Sequence, residues 1–325
     1  WRSLRVDHFY VHYPSARSGL AADVALRAEA VHDLLTARVN HTPETRTHIV
    51  LWDGMHLANG FATPVFENQI GLYLTLPSLA DQYLAGFGPA APDDWLTLLL
   101  LHEYAHILHV DMRSEAAERV MDAFGRVPFV VSPLILAPPL VLEGFAVYQE
   151  SLDGGGRGNG TYYDMFLRTA VLEDRVPRID QVLGEYPLGR WQPGGHVYFF
   201  GYNFMAYLAR QYGPEFLIAL NEELVRRPDS LAVALQKLTD RSLEALWADW
   251  LEDVTERSLA TVERFTGVQA TPVEMYDTVG YHTFFPTPSP DGTAIAYVAV
   301  GGTGSELRLL NTATGKERHV SDVEA

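Results

Sequence analysis

Residues 98–111 read LLLLHEYAHILHVD, so His102, Glu103, His106 and His109 fall within eight residues of a leucine-rich stretch. On an α-helix, residues four apart share one face, with Cβ atoms about 5–6 Å apart. His102 and His106 can therefore offer two imidazoles to one tetrahedral metal ion. Glu103 lies about 100° round the helix from His102, aside from the pair yet able to reach a water held by the ion. His109 follows three residues after His106 on the same face, placed to touch the ligands or a substrate rather than the ion. The competing reading makes His102 and His106 two hydrogen-bonded core histidines.

A catalytic zinc takes three protein ligands and keeps its fourth position open. The chain has no cysteine, which excludes disulfides and thiolate sites and leaves histidine and carboxylate as ligands. Six residues after His106 stands Met112, not a third histidine. The segment LEGFAVYQE (142–150) supplies Glu143 and Glu150, seven apart and so on one helix face. One can bind the ion while the other orients a ligand histidine. Gly144 beside them suits close approach of two helices, because glycine has no Cβ.

A scaffold must position these groups. Residues 5–14 (RVDHFYVHYP) alternate with aromatic and β-branched side chains and stop at proline, which predicts a strand. Leu20, Val24, Ala28, Val31 and Leu35 recur at helical spacing and predict an amphipathic helix to about Arg38. Residues 47–53 and 70–77 predict two further strands, with the turn-rich segment 54–69 a loop between them. Asp93 or Asp94 can cap the histidine helix, and a short helix follows Pro139. The segment DGGGRGNGT (153–161) lacks the lysine and the strand–loop–helix frame of a phosphate cradle and reads as a flexible loop beside the site. From 162 to 264 the pattern is mostly helical. Leu243, Leu246, Trp247, Trp250, Leu251 and Val254 form an apolar stripe of core residues. Beyond a linker at 267–280, residues 281–325 turn to short alternating strands, about one four-stranded meander.

Composition narrows the partners. At 325 residues and 47% hydrophobic, the chain has ample core for more than one domain. A net charge of −17 with no dense basic run disfavours phosphate backbones and anionic lipid, so no nucleic acid partner is expected. No apolar stretch approaches the roughly 20 residues of a membrane span. The chain starts at Trp1 without Met, as a processed protein would.

The pairing of HEYAH with LEGFAVYQE resembles the gluzincin metallopeptidases, in particular the aminopeptidase N group, whose HExxH is followed by a NEGFA-type helix. The resemblance implies an α+β fold with a thermolysin-like catalytic domain over residues 1–266, a small mixed sheet plus helices. It also implies one zinc ion held by His102, His106 and Glu143, with Glu103 as general base and Glu150 orienting a ligand from behind. VYFFGYNFMAYL (197–208) resembles that group's vYxKGa helix, whose tyrosine stabilises the oxyanion; this maps to Tyr198, with Tyr202 as the fallback. Where that group has a GAMEN segment for a substrate's free amine, TPVFENQIGLYL keeps Glu67 and Asn68 but lacks the glycine and alanine. SPDG at 289–292 with IAY at 295–297 resembles one blade of a TolB-type β-propeller, a repeat whose neighbours would continue past Ala325 and could bind a protein partner. That domain order is similar to bacterial extracytoplasmic peptidase-MA-like proteins, which implies an extracytoplasmic location.

The expected function is zinc-dependent hydrolysis of peptide bonds, endopeptidase more than aminopeptidase. Ile70, Leu72 and Leu74 would lie on a sheet edge along which an extended peptide adds as a strand. Two other readings stand beside it: a non-catalytic zinc-containing scaffold of a propeller binding protein, and a zinc hydrolase of a non-peptide substrate. The intact Glu103 argues against the scaffold.

Overall fold

Phe9 and Val11, Ile49 and Leu51, and Ile70 and Leu72 alternate along three strands and are all at most 1% exposed, so one face of a sheet is wholly covered. The computed structural model describes residues 1–55, 58–77, 94–127, 129–184, 196–228, 230–268, 276, 282–301 and 304–323. It is a mixed α+β chain that divides into two units, Trp1–Arg264 and Phe265–Ala325.

In the first unit, β1 (Arg2–Arg5), β2 (Phe9–Tyr13), β3 (Thr47–Trp52), β4 (Gly60–Thr63) and β5 (Gln69–Tyr73) form one sheet in the order β1-β2-β3-β5-β4. The outer pairs β1/β2 and β4/β5 are antiparallel, and β2/β3 and β3/β5 are parallel. The single strand expected at 5–14 is instead the second arm of a hairpin, β1 having formed upstream of it.

The sheet corrects one functional expectation. Strand β5 is not an edge: it lies between β3 and β4, and Ile70 and Leu72 are 0% exposed, so neither can touch a substrate. Leu74 follows the end of β5 and is partly buried against the core. The segment expected to be loop supplies the cover, pairing Phe61 with Gly71 and Ala62 with Ile70. A Cβ at Gly71 would stand 2.2 Å from the Phe61 ring, so the missing side chain is what lets Phe61 lie across β5. Among the described residues, no strand pairs with the outer edge of β4.

Helix α1 (Ser18–Val39) and helix α2 (Trp95–Asp111) pack together against the sheet. Asp94 caps α2 by accepting from the Thr97 backbone N–H at 3.2 Å; Asp93 lies outside the described residues. From Leu98 to Asp111 every side chain of α2 except His106 is buried, which makes it the central helix of the unit. Tyr104 OH lies 2.6 Å from His32 Nδ1 and ties α2 to α1. The far end of α2 is held by Asp111, fully buried with His41 at 3.0 Å, Arg126 at 3.1 Å and Arg113 at 3.3 Å.

A short α3 (Glu115–Phe124) precedes α4 (Pro139–Ser151), α5 (Thr161–Leu172), α6 (Ile179–Val182) and α7 (His196–Tyr212). The close contact of α4 with α7 is made by two glycines. A Cβ at Gly144 would stand 2.5 Å from the Gly201 carbonyl carbon, and one at Gly201 would stand 2.4 Å from Leu140 O. The contact lies next to Glu143 and one helical turn from Tyr198. Helices α8 (Glu215–Arg226), α9 (Leu231–Thr239) and α10 (Leu243–Glu263) complete the unit. Trp247 and Trp250 of α10 lie 4.2 Å apart, centroid to centroid, and meet Phe200 and Phe204 of α7 edge-on.

The second unit is an antiparallel meander of β6 (His282–Pro288), β7 (Ala294–Gly301), β8 (Gly304–Asn311) and β9 (Glu317–Val323). Among the described residues its buried apolar side chains are Tyr297, Ala299 and Leu310, a small core for one sheet. The expected linker at 267–280 falls largely outside the described residues.

Candidate metal centre

Helix α2 presents His102 and His106, and α4 brings Glu143 to them. Glu143 Oε2 stands 3.3 Å from His102 Nε2 and 3.2 Å from His106 Nε2, and the two imidazole nitrogens are 3.1 Å apart. A tetrahedral ion with bonds of about 2.0–2.1 Å sets its ligand atoms about 3.3–3.4 Å apart. The three atoms therefore have the spacing of three corners of such a tetrahedron. The group could hold a metal ion, and among the described residues it is the one set of three histidine or acidic side chains close enough to do so. Glu143 Oε2 is buried yet meets no hydrogen bond of good geometry among the described residues.

The electrostatics agree with a cation site. Burial and the Arg157 charge push the His102 imidazole down, but Glu143 and Glu150 outweigh them and leave it raised to about 9. Burial opposes ionisation of Glu143, yet the two histidines hold its carboxyl well below the usual range. Positive charge is drawn between these groups whether a proton or a metal supplies it.

Glu150 sits behind His102, its Oε2 accepting from Nδ1 at 2.8 Å. A carboxylate only accepts, so Nδ1 carries a hydrogen, and Nε2 is the nitrogen that a metal ion could take in place of a proton. Glu103 is 5% exposed, and burial raises its carboxyl above the ordinary range. Strand β4 passes close to it, since a Cβ at Gly60 would stand 3.1 Å from Glu103 Oε1. From α7, the Tyr198 ring stacks 6.1 Å from His102. Tyr202 lies elsewhere, across Gly158, whose Cβ would strike its ring at 2.1 Å. His196 Nε2 donates to Gly184 O at 2.8 Å, since a carbonyl oxygen can only accept.

His109 does not join the group. It is 0% exposed, so it reaches no substrate, and its ring packs 4.5 Å from Phe145. Burial, with the His106 charge adding to it and Asn221 opposing, pushes its imidazole down to about 3, so it is a neutral core residue. Glu67 faces His48 at 3.4 Å with its side chain 65% exposed, and Asn68 is taken up by Asp111 and Arg126. The pair that matched the amine-binding segment is thus engaged in other contacts.

One residue of the site escaped the sequence reading. Segment 153–161 is not simply a flexible loop: Arg157–Asn159 forms a 3-10 turn, and Arg157 is buried against Glu150 and His102. A signal was available in a lone arginine among glycines, seven residues after a glutamate that needs a partner if buried.

No family model matches the chain, and no curated protein matches it.

Proposed function

We propose that this chain is a zinc-dependent peptidase cutting within extended polypeptides. The observation that carries the reading is the tetrahedral spacing of His102 Nε2, His106 Nε2 and Glu143 Oε2, with Glu103 at the next helix position. Two imidazoles and one carboxylate, with a fourth direction left for water or substrate, are a donor set suited to catalytic zinc. When bound, zinc would supply Lewis acidity and lower the pKa of a water toward about 7.

The chain's own groups divide the remaining work. Glu103 takes the proton of the attacking water and returns it to the leaving amine; burial raises its carboxyl, which brings it nearer working pH as a base. Tyr198 donates its phenol hydrogen to the developing oxyanion. The edge of β4 that meets no other strand among the described residues, beside Glu103, receives an extended peptide as an added strand, the task first assigned to β5. An edge that runs past the base favours cuts inside a chain. The remaining proposals are an extracytoplasmic location and a TolB-like role for the second unit in binding a protein partner.

The test is digestion of an unfolded protein such as casein with and without a chelator, the cut sites read by mass spectrometry. Internal cuts that stop with chelator and return with zinc support the reading. Zinc-loaded protein that leaves casein and a peptide library intact would refute it.

A further inference from the structure

Glu150 is 2% exposed, and a carboxylate buried that deeply must have every acceptor position filled. One contact comes from His102 Nδ1, at 2.8 Å from Oε2. The other three all come from Arg157: its backbone N–H donates to Oε1 at 3.0 Å, Nε to Oε1 at 2.8 Å, and Nη2 to Oε2 at 2.9 Å. Arg157 also lies 5.0 Å from the Tyr198 ring, so one guanidinium borders the acid behind His102 and the aromatic ring beside it.

The glycines around Arg157 are what admit it. Gly156 has φ +74°, and a Cβ there would stand 2.6 Å from Glu150 O and from Ser151 Oγ. At Gly158 a Cβ would run into Tyr202. The loop thus turns tightly over the end of α4 and feeds the arginine back along it. We infer that Arg157 is a positioning residue of the metal site, fixing Glu150 in the one orientation that takes the Nδ1 hydrogen of His102 and turns Nε2 to the ion. This rests on the reading of His102, His106 and Glu143 as metal ligands.

The geometry contains a competition that an ion would resolve. Arg157 Nη2 also stands 2.7 Å from His102 Nδ1, and a guanidinium can only donate. If Nδ1 accepted from Arg157, its hydrogen would move to Nε2 and block the ligand lone pair. With Nη2 committed to Glu150, Nδ1 donates and Nε2 is free to ligate. The fork of the guanidinium, not its charge alone, does this, because Lys can deliver only a point charge.

The experiment measures Co2+ and Zn2+ affinity by competition with a chromophoric chelator, together with the visible absorption of the Co2+-loaded protein. Wild type, Arg157→Lys, Glu150→Gln and the double variant are compared, with melting temperature as the folding control. Arg157→Lys is expected to weaken metal binding about 10–100-fold and to alter the Co2+ spectrum. The double variant is expected to bind no more weakly than Glu150→Gln alone, since both act through one carboxylate. A second variant, Arg157→Ala, is expected to regain affinity with millimolar guanidinium ion, which a purely structural arginine would not show. Unchanged affinity in Arg157→Lys, or losses that simply add in the double variant, would overturn the assignment. Failure of the wild type to bind either metal would instead remove the metal reading itself.

Discussion

A Cβ built on Gly60 would stand 3.1 Å from both Cγ and Oε1 of Glu103, so strand β4 and the candidate base share one wall of the site. Gly60 leaves room for that carboxylate. Gly60→Val is expected to lower kcat/KM by about 10²-fold, the cost of displacing a reacting group by roughly 1 Å. Its metal content should stay that of the wild type. Steady-state kinetics beside metal analysis check this, and full activity in the valine variant would separate β4 from the reaction.

Glu103→Gln keeps the shape of the side chain and removes its ability to take a proton. The variant should bind metal and melt like the wild type while hydrolysis falls by about 10²–10⁴-fold. Residual activity close to wild type would take Glu103 out of the mechanism.

Tyr198 stacks on His102, whereas Tyr202 lies across Gly158. Tyr198→Phe should therefore lower kcat and kcat/KM together, by about 10²–10³ as for other oxyanion donors, with metal retained. Tyr202→Phe should leave both near normal. The reverse outcome would move the donor one turn along α7.

How much of this could be read beforehand follows from the range of each interaction. His102 and His106 needed only helical spacing, and the leucines of 98–101 announce a buried helix. Glu143 and Glu150 were legible as one helix face, with Gly144 marking a close helix contact. The choice between them needed resemblance, since spacing alone allows either to be the ligand. Strand β4 was not legible because Gly60–Thr63 is four residues long and includes Gly and Ala, both poor strand formers; its pairing with β5 alone makes it a strand. That hairpin pairing also displaced Ile70 and Leu72 from edge to interior. Arg157 was hidden for a different reason. A glycine-rich run has no periodicity to read, and only the tertiary structure shows that its glycines make room for backbone and for Tyr202.

Asp111 anchors the end of α2 through Arg113, Arg126, His41 and Asn68. Burial raises its carboxyl, but these partners, led by the His41 contact and the Arg113 charge, hold it below its ordinary value of 3.8. The unfolded chain then takes up the proton more readily than the folded one. The stabilisation is present above about pH 4 and is lost as pH falls from there toward the folded value. Asp111→Asn should lose about 3–5 kcal/mol at neutral pH by leaving buried cations unpaired. It should also flatten the acid limb of the stability curve. Denaturant melts of both proteins from pH 3 to pH 7 test this, and parallel curves would contradict it.

If His102, His106 and Glu143 together hold one metal ion, metal stoichiometry after dialysis against zinc and a weak competing chelator will show it. The expected content is about one ion per chain in the wild type and close to none in His106→Ala and Glu143→Ala, because each variant removes one of three protein ligands. Both variants should keep the circular dichroism of the folded chain, so that loss of metal is not loss of fold. A wild-type chain that carries no ion, or a folded Glu143→Ala that keeps a full equivalent, would contradict the account.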